Sequence, residues 1–187
     1  IGTINTIGDI NLNAAGTTTT FNSTVNAVLV TTSATGTVTF NDLVTTDTLT
    51  VANASTITLG SGFVAGETVF MTTANAQSFT TAATINMPQT FNTGSITLID
   101  AAAGVTTAAA DALLLGFNTN VLSTYTAAAN TDDNTKLDVT AVRKTAALVA
   151  SELNITTDQA NALHQSVTSV ATEDATGLAA MNTILAA

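Results

Sequence analysis

Residues that could carry out acid–base or nucleophilic chemistry are few and widely spaced in this chain. It has one His, no Cys, and 3 Lys and Arg against 13 Asp and Glu. Catalysis needs titratable groups held close enough to tune one another, and we interpret the lone His164 as a structural residue on a helix flank. Asp47 and Glu67 would stack if the chain repeats about every 20 residues, which makes them the one candidate for a glycosidase dyad. We otherwise expect no catalytic residues and no enzymatic activity.

The densest acidic group could in principle bind Ca²⁺ through hard oxygen ligands. It consists of Asp132, Asp133, Asn134 and Asp138. The EF-hand pattern is not met, because its Gly position falls on Lys136 or Leu137 and its closing Glu position is not acidic. We interpret the group as a solvated loop that leads into a helix, with Asp138 near the helix N-terminus.

Cofactor binding has no support in the sequence. The chain has no Cys for a thiolate zinc site, and Gly60-Ser61-Gly62 lacks the third Gly and the following Lys of a phosphate-binding loop. We therefore expect neither a metal nor a cofactor.

The charge balance excludes nucleic acid as a main partner. The formal net charge is −10 and charged residues make up only 9% of the chain, so the phosphate contacts that drive nucleic-acid binding cannot be assembled. All three basic residues, Lys136, Arg143 and Lys144, lie within nine positions. Arg143 and Lys144 are candidates for docking onto the acidic body of another copy.

The first hundred residues alternate between β-branched or apolar side chains and Thr or Asn, as half-buried strands do. The alternating segments are 37–40, 48–51, 56–59, 68–71, 83–87 and 95–98. Thr-Phe-Asn occurs at 20–22, 39–41 and 90–92, so its first two copies are nineteen positions apart. The apolar pair Val38/Phe40 repeats at Ile57/Leu59, again nineteen positions later, and Leu49/Val51 repeats at Val69/Met71 after twenty. This step predicts a Thr-rich β-solenoid of about five rungs, with a β-sandwich as the alternative.

From residue 101 the composition becomes Ala-rich and apolar residues fall three or four positions apart, which predicts four helices. Their stripes are Leu114, Phe117, Val121 and Tyr125; Val139, Val142, Ala146, Val149 and Leu153; Ala160, Leu163, Val167 and Val170; and Leu178, Met181 and Leu185. The expected class is α+β, with a strand-rich repeat body at 1–100 and a helical cap or assembly domain at 101–187. The helix bearing Leu114, Phe117 and Val121 should cover the last rung or lie against a neighbouring subunit.

The compartment is indicated only by composition. The absence of Cys, the scarcity of Lys and the abundance of Thr and Asn favour an extracellular or cell-surface location. The most apolar stretch, 108–117, is about ten residues long, whereas a membrane-spanning helix needs ~20, so we expect no transmembrane segment. The chain begins at Ile1 with no signal-peptide pattern, and we expect a mature chain or a fragment.

The segments 37–44, 48–53 and 55–62 resemble the repeated rungs of bacterial autotransporter passenger domains, particularly those of the rickettsial surface-layer outer membrane protein B type. The resemblance covers about the first hundred residues and implies export, a right-handed β-helix and an adhesive or paracrystalline coat role. The Ala-rich C-terminal part departs from that pattern.

These observations lead to two functional hypotheses. The first is a non-enzymatic extracellular structural protein whose copies associate with one another through strand edges and apolar faces into a layer, coat or filament. The alternative is an adhesin or carbohydrate-binding surface module that contacts a glycan or host surface through aromatic residues such as Phe63.

Overall fold

The structure is a computed structural model that describes residues 7–12, 16–32, 36–51, 55–74, 83–88, 90–105 and 116–173. Within these ranges it contains twelve strands and two helices. The strands are β1 (Ile7–Leu12), β2 (Thr18–Phe21), β3 (Val25–Thr32), β4 (Thr37–Phe40), β5 (Val44–Val51), β6 (Thr56–Leu59), β7 (Thr68–Thr72), β8 (Thr84–Asn86), β9 (Gly94–Ala101), β10 (Gly116–Phe117), β11 (Ser123–Ala129) and β12 (Lys136–Arg143). The helices are α1 (Ala146–Leu153) and α2 (Thr157–Glu173). The chain is thus strand-rich with helices at its C-terminal end, which confirms the α+β class.

The alternating sequence pattern produces the strands. In β4, Val38 and Phe40 are buried while Thr37 and Thr39 lie on the outer face, because successive side chains of a strand point to opposite sides. All six alternating segments predicted from the sequence lie in or overlap strands.

Successive strands alternate between two sheets. The described residues form a seven-stranded sheet in the order β1-β3-β5-β7-β9-β12-β11 and a five-stranded sheet in the order β10-β8-β6-β4-β2. Strands β1 to β9 of the first sheet are parallel, and so are all neighbours in the second. Neither sheet closes on itself.

The nineteen-position step is confirmed in the second sheet, where Thr18 lies opposite Thr37 and Thr37 opposite Thr56. The expected twenty-position step from Leu49/Val51 to Val69/Met71 is wrong. Val44 instead lies opposite Phe70, because the connection between β6 and β7 includes two turns and places Gly66 at φ +91°. The step is also longer in the second sheet from β6 onwards, where Thr56 lies opposite Thr84.

The two sheets face each other across one apolar core. Its fully buried members come from both sheets, and the Phe40 ring of β4 meets the Phe70 ring of β7 edge-on with centroids 5.3 Å apart. A second, smaller cluster joins the helices to the segment before β11 and comprises Leu122, Val149, Ala150, Ala160 and Val167.

In the described part of residues 101–145 the expectation of helices is wrong, and the second stripe is helical only from Ala146, since Ala146, Val149 and Leu153 lie on α1. Phe117 and Tyr125 belong to strands β10 and β11, Val139 and Val142 belong to β12, and β12 pairs antiparallel with β9 and β11. The reason lies in β12, where Leu137, Val139 and Ala141 alternate at a spacing of two and are buried. Asp138 accordingly lies in a strand and not at a helix N-terminus.

The change from strand to helix takes place after Lys144. Thr145 caps α1 by accepting a hydrogen bond from the Leu148 N–H at 3.3 Å. The third predicted stripe is confirmed, since Ala160, Leu163 and Val167 lie on α2. Leu114 and the fourth stripe lie outside the described residues. The predicted division into two distinct units stays a prediction, although β12 extends the first sheet beyond residue 100.

No helix in the described part of the chain is both long enough and apolar enough to span a membrane.

Candidate functional site

The five residues predicted to mediate assembly lie in different surroundings. Leu114 is outside the described residues. Phe117 packs partly buried against the main core, with its ring 5.8 Å from that of Tyr125, whereas Val121 packs against the helical cluster. Their role in assembly stays a prediction.

The two basic candidates are engaged within the chain. Arg143 Nη2 donates to Asn92 Oδ1 at 3.0 Å. Lys144 Nζ lies 2.7 Å from Glu152 Oε2, and its side chain is only 8% exposed. The first contact ties β12 to the segment before β9 and the second ties the end of β12 to α1, so the groups available to another copy are fewer than the sequence indicated.

The postulated pairing of Asp47 with Glu67 does not form. Thr46 lies opposite Thr72 in the first sheet, and Thr73 Oγ1 donates to Asp47 Oδ1. Glu67 precedes this position by six residues, about 20 Å along an extended chain. It instead accepts a hydrogen bond from the Val64 N–H at 2.9 Å. The longer connection after β6 is the physical reason that the two carboxylates fall out of register.

Asp132, Asp133 and Asn134 of the acidic group lie in the turn of the β11–β12 hairpin, and Asp138 lies on β12. Asn130 Oδ1 accepts from the N–H groups of Asp132 and Asp133, and Asp138 accepts from Thr97 Oγ1 and from Asn130 Nδ2. Thr97 lies on β9, which pairs with β12, and the other donors are local, as expected for a tight turn. Among the described residues, no three His, Cys, Asp or Glu side chains are placed to hold a metal ion.

Lys136 offsets part of the negative charge of this turn, because its Nζ lies 3.0 Å from Asp133 Oδ2. A hydrogen bond from Thr135, and then the contact with Lys136, lower the pKa of Asp133 to about 2. The bond to Asp133 raises the pKa of Lys136. On α2, burial and secondarily the charge of Arg143 lower the pKa of His164.

At the end of the two sheets that lies away from β10 and β11, each sheet has an outermost strand. Within the described residues, β1 pairs only with β3 and β2 only with β4, so each is the outermost strand of its sheet. Ile7 is 58% exposed. Ile10, Leu12 and Phe21 are partly buried against the core. We call β1 and β2 together the N-terminal edge.

Side-chain ladders run up to this edge. The Phe21 ring stacks on the Phe40 ring with centroids 5.2 Å apart and planes 8° apart. Beside it, Asn41 Nδ2 donates to Asn22 Oδ1 at 2.8 Å. Phe21 and Asn22 are the last members of these two ladders among the described residues. Each stack of like side chains therefore ends at the N-terminal edge.

The next position of the Asn ladder explains why it does not continue inward. Gly60 stands one repeat step after Asn41, and a Cβ at Gly60 would lie 2.1 Å from Asn41 Oδ1 and 2.9 Å from its Cα. Only Gly fits there without displacing backbone.

The N-terminal edge is nearly uncharged. Asp9 is the only ionisable side chain before Asp42 in the sequence, and no Lys or Arg occurs before Lys136. The backbone edge is thus flanked by Thr, Asn and apolar side chains, with a single carboxylate.

The C-terminal end of the sheets is covered by a network centred on Tyr125. Its Oη donates toward the carbonyl oxygens of Pro88 at 3.1 Å and Phe91 at 3.0 Å, and it accepts from Asn120 Nδ2. Asn120 Oδ1 in turn accepts from the backbone N–H groups of Leu122 and Ser123. Burial raises the pKa of Tyr125. Sequence reasoning placed Tyr125 on a helix and missed this network.

A shallow groove of about 350 Å³ lies beside the ladders and is lined by Asn41, Asp42, Leu43, Gly62, Phe63, Glu67, Thr68 and Met71. Phe63, the residue singled out for glycan stacking, is only 6% exposed, so little of its ring is available to a sugar. Hydrogen bonds from the Leu43 N–H and Thr24 Oγ1 lower the pKa of Asp42. The groove therefore does not display an aromatic platform.

No protein-family model, curated protein or solved structure matches the chain. Function is therefore inferred from the geometry of the chain itself.

The N-terminal edge was not singled out by sequence reasoning. The sequence signal closest to it is the Thr-Phe-Asn repeat, whose first two copies align across β2 and β4.

Proposed function

We propose that this chain is a non-enzymatic structural protein of the cell exterior, whose copies assemble into a layer, coat or filament through their strand edges. The supporting observation is the N-terminal edge. Natural β-proteins protect such edges with Lys, inward-pointing charges, Pro or bulges. Here β1 offers only Asp9 and β2 offers no charge or Pro, so both strands are suited to pair with another chain.

The proposal includes a β-solenoid architecture for the strand-rich region. Alternation of successive strands between two facing parallel sheets supports it, as does the constant step from β2 to β4 to β6. A β-sandwich is built from antiparallel hairpins and Greek keys, whereas stacked rungs give parallel ladders. In this interpretation, the antiparallel β11–β12 hairpin is the cap that terminates the stack.

Composition supports the location. The strand-bearing region up to β11 has no Lys or Arg, and the whole chain has no Cys. A surface of hydroxyl, amide and methyl groups suits contact between copies, since few charges must lose water when two such surfaces meet.

The test is direct observation of assembly. Purified protein should form oligomers or larger ordered particles in negative-stain microscopy and analytical sedimentation, over a range of pH and with or without Ca²⁺. Strictly monodisperse monomers under all these conditions would overturn the proposal.

A matched pair of variants identifies the strand edge as the cause. Thr20 on the outermost strand lies directly opposite Thr39 on the next strand. Thr20→Lys should abolish assembly, because an edge Lys blocks pairing, while Thr39→Lys should leave assembly intact. Both variants reduce the net negative charge equally, so general electrostatic repulsion cannot account for a difference. Equal behaviour of the two variants would contradict an edge-mediated contact.

A further inference from the structure

The two ends of the paired sheets differ in shape. At the N-terminal edge both sheets end with consecutive strands, β1 in one and β2 in the other. At the opposite end the seven-stranded sheet continues through β12 and β11 after β9, whereas β10 is the last strand of the five-stranded sheet in the described part of the chain. One end therefore presents two strands side by side, and the other presents a sheet that is two strands longer than its partner.

This difference decides how two copies can meet. A two-fold axis perpendicular to the sheet faces would place β1 antiparallel to β1 of the second copy and, at the same time, β2 antiparallel to β2. A head-to-tail contact would place β1 against β11, and β2 would then have no strand opposite it, because β10 ends two strands earlier. Of these two arrangements, the two-fold one pairs both outermost strands at once, and such isologous contacts are the commonest in homo-oligomers.

Charge favours the same arrangement. The chain carries a net charge of −10, so two copies approach most easily through the parts that carry least charge. The N-terminal edge contributes one charged side chain, Asp9, whereas the β11–β12 hairpin at the other end carries five: Asp132, Asp133, Asp138, Lys136 and Arg143. The two-fold contact therefore requires fewer charged groups to lose water than a head-to-tail contact does.

The ladders provide matching side chains. Phe21 is partly buried and stacks on Phe40, which is fully buried. A second copy placed by the two-fold axis would bring its own Phe21 and Asn22 to the same edge. An amide can donate and accept, so Asn22 can bond to polar side chains of the second copy.

We propose that the N-terminal edge binds the N-terminal edge of a second copy of this chain across a two-fold axis, with β1 paired to β1 and β2 paired to β2, both antiparallel. This inference rests on the proposed function and specifies its first contact.

Disulfide trapping tests the arrangement, because the chain has no native Cys. Cys is introduced singly at outward positions of the two edge strands: Asp9, Asn11, Thr18 and Thr20. Antiparallel partners lie ~4.5–5.5 Å apart, within disulfide reach. If the two-fold axis passes beside one of these outward residues, the Cys variant at that residue forms a disulfide-linked dimer with itself under mild oxidation. If the axis passes beside the inward residue between two of them, a dimer forms only in an equimolar mixture of the two variants of that strand, Asp9→Cys with Asn11→Cys or Thr18→Cys with Thr20→Cys.

Two controls make the result specific. Thr39→Cys lies one strand inside the edge, so its copies would be separated by three strand spacings, about 14 Å, and should not cross-link. Mixtures of Asn11→Cys with Thr126→Cys, which is exposed on β11, report a head-to-tail contact.

The outcomes separate the two proposals. Cross-linking within the N-terminal edge, with none from Thr39→Cys, supports the two-fold contact. Oligomers in sedimentation that cross-link only through Thr126→Cys, or through no edge position, overturn this inference and leave self-assembly standing. A chain that remains monomeric throughout overturns both.

Discussion

Tyr125 should make the fold sensitive to alkaline pH. Its hydroxyl donates toward the carbonyl oxygens of Pro88 and Phe91 and accepts from the Asn120 amide. This arrangement needs the neutral phenol, because a phenolate would face two carbonyl oxygens with no proton to donate. Burial accordingly raises the pKa of Tyr125 above its ordinary value of 10.0.

The sign of the effect follows from proton linkage. Above pH 10 the unfolded chain releases the Tyr125 proton while the folded chain keeps it, so the unfolded state gains stability. The free energy of unfolding should therefore fall by about 1.4 kcal/mol for each pH unit above roughly 10, or ~2.7 kcal/mol between pH 10 and 12. Below pH 10 this group contributes no pH dependence. Lys136, whose pKa is also raised, acts in the same direction, and a variant lacking the phenol hydroxyl isolates the Tyr125 contribution.

The assay benefits from composition, because Tyr125 is the only Tyr and the chain has no Trp. Tyrosinate absorbance therefore reports this one side chain. Protein unfolded in urea should titrate near pH 10, whereas the folded protein should show tyrosinate only as its circular dichroism is lost. Urea unfolding at several pH values should give the predicted slope for the native chain and a shallower one for Tyr125→Phe.

Tyr125→Phe should also cost ~1–2 kcal/mol at neutral pH, because the two carbonyl groups lose their donor. Reversible ionisation near pH 10, with the circular dichroism of the folded chain unchanged, would refute the role assigned to the Tyr125 hydroxyl.

Three further predictions concern stability. Phe40→Ala should lower the free energy of unfolding in urea by ~3–5 kcal/mol, because the side chain is fully buried between two rings; Phe21→Ala should cost less, and equal costs would contradict the placement of Phe21 at the edge. Gly60→Ala should cost ~1–3 kcal/mol, since its Cβ would lie 2.9 Å from Asn41 Cα; a neutral result in the same assay would show that this contact relaxes freely. The stability that Asp133 provides should be present above about pH 4 and lost as the pH falls through its lowered pKa of about 2; Asp133→Asn should flatten the acid limb of a thermal-unfolding profile, and an unchanged profile would argue against the role of its turn.

The strands near the N-terminus could be predicted because burial there follows directly from the order of residues. Val38 and Phe40 face the core and Thr39 does not, and period-two alternation is the local signature of a half-buried strand. The nineteen-position step was equally visible, since Thr-Phe-Asn recurs where Phe21 stacks on Phe40.

The longer repeat step between β5 and β7 could not be predicted from the sequence in the same way. Residues 60–67 lengthen the connection to β7, so Val44 pairs with Phe70 and not with a residue nineteen or twenty positions further along. A change in loop length has no periodic signature, and loops tolerate insertions at little entropic cost. The Asp47 and Glu67 hypothesis failed for this reason.

The composition of the region before α1 led to the incorrect prediction of helices where β11 and β12 lie. Ala is a strong helix former, and Val139 and Val142 stand three residues apart as in a helix stripe. In the structure Val139 is fully buried while Val142 is 56% exposed, because pairing with β9 and β11 places them on opposite faces of β12. Tertiary pairing overrides local propensity here.

The two outer edges of the seven-stranded sheet differ in the side chains that would accompany pairing, and this bears on the order of assembly. Strand β1 brings Ile7, Ile10 and Leu12, whereas β11 ends in Ala127, Ala128 and Ala129. Edge pairing is stabilised by cross-strand contacts between β-branched and other large side chains, and Ala offers little of this. The N-terminal edge should therefore form the first contact between copies, and β11 should pair, if at all, only within a larger array. The edge strands β1 and β11 both present backbone hydrogen-bonding groups. The difference in the size of their side chains would therefore decide which edge pairs first.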